Sequence, residues 1–175
     1  MPQVRNLLAL ENQAKSGDAA KLIEHLGDTD AGSRALAAEI LLTRQCGPAA
    51  ACRLQSLEKL ASVAGDAGRS AENRAWAVRA IAHSVVTGFP AGKDIDKAAI
   101  TALARLAADA TPAVRSEAVV SMHGLLLGGG EARLAVDLPK PEMDRLLQQL
   151  NKDGESKVPF APQARDVANL LAKQQ

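Results

Sequence analysis

Residues Ala102–Leu126 read ALARLAADATPAVRSEAVVSMHGLL, two apolar helical runs on either side of a tight turn. Upstream, Ile95, Ala99, Ile100, Leu103, Leu106 and Ala107 recur at three- and four-residue intervals, which places them on one stripe of a helix. Asp94 precedes that stripe as an expected N-cap. The turn is Asp109-Ala110-Thr111-Pro112. Thr111 is the expected cap of the second helix. Pro112 suits its first position, where the missing N–H costs nothing and the fixed φ is already helical. Val114, Ala118, Ser121, Met122 and Leu125 then form a second stripe. Helices joined so briefly are expected to lie antiparallel and to bury their stripes against each other.

The same register recurs around Arg34, Arg74 and Arg165, giving an internal repeat of about 40 residues with Arg115 as its reference point. Three residues after each arginine stands an alanine: Ala37, Ala77, Ala118 and Ala168. Seven after it come Leu41, Ile81, Met122 and Ala172. Four before it, at the cap position, stand Asp30, Ser70, Thr111 and Ala161, of which the first three are good caps. Asp28 matches Asp109 and Pro162 matches Pro112.

The run Asp109-Ala110-Thr111-Pro112-Ala113-Val114-Arg115 resembles the HEAT-repeat family, whose unit is a helical hairpin with an Asp-x-x-Pro-x-Val-Arg turn. The resemblance spans roughly Asp18 to Lys173. It implies an all-α fold, a right-handed α-solenoid of about four HEAT-like helical hairpins plus an N-terminal capping helix. The whole chain, 1–175, is then a single repeat domain with approximate units 18–44, 49–87, 94–127 and 142–173. The resemblance also implies structural roles for Asp28, Arg34, Arg74, Asp109, Pro112, Arg115 and Arg165. Unit two departs from the pattern at Gly65–Ser70, and unit four is expected to reach its second helix through a connection at Lys152–Ala161. A tetratricopeptide array is excluded, because it needs aromatic residues in every unit and this chain has no Tyr, two Phe and one Trp.

Between these units, Val4–Ala14 reads as an amphipathic capping helix, since the end of a stack needs a polar cover. Ala49–Ala64 and Ala71–Val86 are expected helices, with a loop at Thr87–Lys93. Gly128-Gly129-Gly130 stops a helix. Leu134, Val136 and Leu138 alternate ahead of Pro139, as in an extended strap lying along a groove, and helix Glu142–Leu150 follows.

With 47% hydrophobic but only 2% aromatic residues, the core must be built from Ala, Leu, Val and Ile. Net charge is +1, with 21 basic against 20 acidic residues. A nucleic-acid binder concentrates a basic excess on one face, so this balance argues against one. No apolar run reaches the length of a membrane span. The start, Met1-Pro2-Gln3-Val4-Arg5, lacks a basic-then-apolar leader, so the expected location is the cytoplasm.

Candidate chemistry is thin. Cys46 and Cys52 fit either a disulfide or two small apolar residues; the absence of a leader favours reduced thiols. A zinc site needs three or four ligands, and no third cysteine exists. His25, His83 and His123 are isolated, and none precedes the glutamate used by the iron-binding hydroxylases of HEAT-like build. Gly88–Asp94 lacks both the glycine spacing and the Ser or Thr of a phosphate-binding loop. No catalytic residue, metal or cofactor is expected, and the chain is read as a non-enzyme. Trp76 holds the position two after the arginine, where the other units have Leu36, Glu117 and Val167. A position open to Glu117 is not deep core, so Trp76 is a candidate anchor. The resemblance implies that second helices line a concave face, which would carry Leu36, Glu39, Trp76, Arg79, Glu117 and Val120. The expected function is a scaffold or adaptor that binds a protein partner there, with self-association open. Two alternatives remain: a nucleic-acid module similar to the HEAT-like DNA glycosylases, or an accessory subunit of a cofactor-attaching enzyme.

Overall fold

The computed structural model describes residues 9–10, 12, 19–41, 50–86, 93–128 and 136–173. Among these residues there is no strand, and the regular structure from Ala19 onward is eight helices: α1 (Ala19–His25), α2 (Ala31–Ile40), α3 (Ala50–Gly65), α4 (Ala71–Val86), α5 (Lys93–Leu106), α6 (Pro112–Gly128), α7 (Lys140–Glu155) and α8 (Ala161–Ala172). Packing follows the chain. α1 packs on α2, α3 on α4, α5 on α6 and α7 on α8. Each odd-numbered helix also packs on the next odd-numbered one, α4 packs on α6 and α6 on α8.

The repeat register explains these contacts. Ala37, Ala77, Ala118 and Ala168 are all buried, three of them completely. A methyl at that position lets neighbouring helix axes approach closely, and the larger Leu41, Ile81 and Met122 one turn later fill the space beyond. Ala172 breaks the pattern and is exposed at the end of α8. The α5 stripe is buried throughout, from Ile95 to Ala107. In α6, Val114, Ala118 and Met122 are buried, while Ser121 and Leu125 are half-buried.

Caps divide by unit. Asp30 accepts from the Ser33 amide at 2.7 Å and Ser70 Oγ from the Asn73 amide at 3.2 Å. The Thr111 hydroxyl is engaged elsewhere, accepting from Arg74. α5 starts at Lys93, so Asp94 falls inside its first turn rather than ahead of it. α8 has Phe160 at its cap position, with no side-chain cap bond and proline in its first turn.

The largest departure from expectation is α7. It starts two residues before Glu142 and continues to Glu155, well past Leu150 and through the expected connection. Asp153 and Gly154 near its end are buried, each held by an arginine contact described below. Val136 and Leu138 are non-helical and half-buried against the core, in keeping with a strap; Leu134 lies outside the described residues. So do most of Val4–Ala14, where Ala9, Leu10 and Asn12 are helical and Leu10 is buried, and the loop centred on Gly88–Gly92. Cys52 is disulfide-bonded, against the reduced-thiol reading, and the chain has one other cysteine, Cys46.

Candidate functional site

Two of the four marker arginines, Arg34 and Arg115, tie a helix start to the turn just before it, and the other two reach the end of the preceding helix. Arg34 Nη1 donates to the Asp28 and Thr29 carbonyls at 3.0 and 2.9 Å. Arg115 Nη1 donates to the Asp109 carbonyl at 2.8 Å, and Arg165 Nη1 to the Gly154 carbonyl at 2.9 Å. Gly154 lies in the last turn of α7, and Arg74 likewise reaches the end of α3, with Nε donating to the Ala64 carbonyl at 2.7 Å. The Arg74 and Arg165 bonds satisfy carbonyls that a helix C-terminus leaves without a partner, and the Arg34 and Arg115 bonds satisfy turn carbonyls.

Two of these arginines also cross to the following pair of helices. Arg74 donates to Thr111 Oγ1 at 2.8 Å and to Asp109 Oδ2 at 2.5 Å. Arg115 Nε meets Asp153 Oδ2 at 2.7 Å. Asp109 also receives the Thr111 amide on its other oxygen, at 2.8 Å. Asp153 thus does for Arg115 what Asp109 does for Arg74. Sequence reading missed it because it stands on a helix, well ahead of the position that the repeat assigns to the turn acid. Asp28 differs again: its carboxylate meets His25 Nδ1 at 2.9 Å.

Against this scaffold, the six candidate binding residues fall on α2, α4 and α6. Leu36 and Trp76 are half-buried and pack on the core; Glu39 and Arg79 are exposed. Arg79 and Glu117 meet at 3.1 Å across the α4–α6 seam. Val120 is 45% exposed. The Trp76 ring carries the Arg34 guanidinium over its face, 5.1 Å from the centroid, a cation–π contact between α2 and α4. The same register position is deep core in the last unit, where Val167 is fully buried.

One exposed residue escaped the sequence reading. Leu127 is 69% exposed and, with Val120, is one of two large hydrophobic side chains that the described residues leave in solvent. The signal was present: Leu127 lies two helical turns beyond Val120, on the face opposite the Val114–Met122 stripe. Glu117, Val120, Gly124 and Leu127 share that face, and Gly124 has nothing within 4 Å of where a Cβ would stand. The result is a shallow apolar strip along α6, with the Arg79–Glu117 pair at its N-terminal end.

Histidines do not assemble a centre. His123 Nε2 meets Asp166 Oδ2 at 3.0 Å, and among the described residues no three His, Cys, Asp or Glu side chains converge to hold a metal. No described helix is long and apolar enough to cross a membrane. Comparison with protein-family models, with curated proteins and with solved structures found no match.

Proposed function

We propose that this chain is a small HEAT-like scaffold, a stack of helical hairpins that binds a protein segment on the face formed by α2, α4 and α6. The observation that carries the reading is the pairing of Val120 and Leu127 on one exposed face of α6. Isolated surface hydrophobics are ordinary, but two aligned on a single helix, beside an ion pair that spans the seam, make an apolar track with a charged border. Such a track suits the alternate apolar side chains of a short amphipathic segment. Glu39, Arg79 and Glu117 supply charges of both signs, which favours a protein over a phosphate backbone.

The direct test is the double variant Val120→Asp/Leu127→Asp in affinity capture from the native cell. Both side chains are exposed, so the helical circular dichroism is retained while capture is lost. Capture unaffected by the double variant refutes the reading. Trp76→Ala is a poorer probe, because Trp76 also supports Arg34.

A further inference from the structure

The joint between the first two helix pairs is built differently from the others. At the later joints, an arginine of one pair meets a carboxylate of the next: Arg74 with Asp109, and Arg115 with Asp153. Arg34 occupies the same repeat position and is 4% exposed, yet no carboxylate of the described residues comes within ion-pair distance of it. Its Nη1 serves two turn carbonyls, its Nε is buried with no partner, and Trp76 covers a face of the guanidinium. The Asp30 carboxylate, occupied by the Ser33 amide, stands beyond ion-pair distance, though near enough for the Arg34 charge to help hold it ionised. A buried guanidinium without a direct carboxylate contact is costly.

Arg34 lines a cleft of about 540 Å³ between the turn that follows α1 and the turn that precedes α4. Asn73, on the same wall, is 6% exposed, and its Oδ1 is buried without a partner. Of the three acids on the cleft walls, Asp66 receives the Gly68 amide and Arg69 Nε and Asp28 faces His25, while Glu72 is exposed to solvent. Arg69 in turn donates to the Gly27 carbonyl across the cleft. The cleft therefore presents a buried guanidinium to an acceptor and a buried amide oxygen to a donor, on walls already fixed by hydrogen bonds.

We propose that this cleft binds a carboxylate from outside the chain, which meets Arg34 as Asp109 meets Arg74, with an adjacent N–H of the ligand donating to Asn73. A peptide supplies both groups, through an aspartate side chain or through its terminal carboxylate. The site is separate from the α6 strip and does not rest on the function proposed above.

Trp76 is the single tryptophan, so intrinsic fluorescence of the full chain reports on Arg34 directly. The probes are a short end-blocked peptide with one aspartate, its asparagine counterpart, and a peptide whose only carboxylate is its C-terminus. The expected result is a saturable fluorescence change with a carboxylate peptide and none with the asparagine peptide; whichever carboxylate peptide responds names the source. Arg34→Gln and, as a milder variant, Asn73→Ala should each weaken the response roughly tenfold or more. The asparagine contrast uses the unaltered chain and holds even if Arg34→Gln fails to fold. No saturable change with either carboxylate peptide, an equal change with the asparagine peptide, or full binding by a folded variant overturns the proposal.

Discussion

Arg115 and Asp153 stand 38 positions apart in the chain, yet Nε and Oδ2 lie 2.7 Å from each other at the seam between α6 and α7. Both side chains are largely withdrawn from solvent, at 12% and 4% exposure. Removing one partner leaves the other charge buried without compensation. Arg115→Ala should therefore lower unfolding stability by about 3–5 kcal/mol, read from urea or thermal melts. The loss should be general; a variant that keeps its melting temperature and loses only partner capture would refute a structural role.

Gly154 admits no side chain. A Cβ there would lie 2.6 Å from Arg165 Cγ, closer than real side chains pack. Gly154→Ala gains at most about 1 kcal/mol of helix propensity and should lose about 1–3 kcal/mol to overpacking. Arg165 would be pushed off the Gly154 carbonyl that it now holds. A thermal melt of the variant at or above the wild-type midpoint contradicts this account.

The Arg79–Glu117 pair offers the opposite case. Arg79 is 61% exposed and Glu117 28%, so solvent screens the pair and its stability contribution should stay below about 1 kcal/mol. Exchanging the two charges (Arg79→Glu with Glu117→Arg) should leave the melting temperature nearly unchanged. If the α6 face binds a charged segment, the exchange alters affinity and its salt dependence; a large stability loss would assign the pair to the fold instead.

Acid should loosen the first helix pair. Asp30 is held below the usual carboxylate range, first by the Ser33 backbone N–H and also by the Ser33 side chain. Glu24 is lowered chiefly by its hydrogen bond to Lys59 and also by that lysine's charge. A folded-state pKa below the unfolded one contributes stability above the unfolded value and loses it as pH falls through the folded value. The contribution should be complete at neutral pH and fade below about pH 4. Asp30→Asn keeps a good cap but cannot titrate, so urea midpoints measured against pH should fall less steeply for it on the acid side. An unchanged acid limb would show that this cap does not couple folding to protonation.

The Cys52 disulfide makes a simple chemical prediction. Alkylation of the purified, unreduced chain should leave Cys52 unlabelled; reduction should free its thiol and lower stability, on the order of 2 kcal/mol or more. A Cys52 thiol that reacts without reductant would contradict the disulfide.

Much of the architecture was legible in the chain itself. The alanine three residues after each arginine, the apolar stripes and the turn residues are local signals, each set by helix periodicity or cap chemistry, and they located most of the helices. They also located the four arginines and the buried alanines beneath them. The end of α7 escaped, because Asp153 and Gly154 look like connection residues until the contacts that favour helix there are known. Leu127 escaped because it lies off the buried stripe of α6, on the solvent face, where helix periodicity sets no requirement for an apolar side chain.

What only the tertiary structure decided is which groups meet. Three repeat arginines with the same local context end with different partners: Arg74 with Asp109 and Thr111, Arg115 with Asp153, and Arg34 with turn carbonyls and Trp76. Periodicity fixes the side of the helix on which each arginine stands. The partner across the seam is set by the length and shape of the neighbouring turn, and a shift of one or two residues there moves a carboxylate out of hydrogen-bond range.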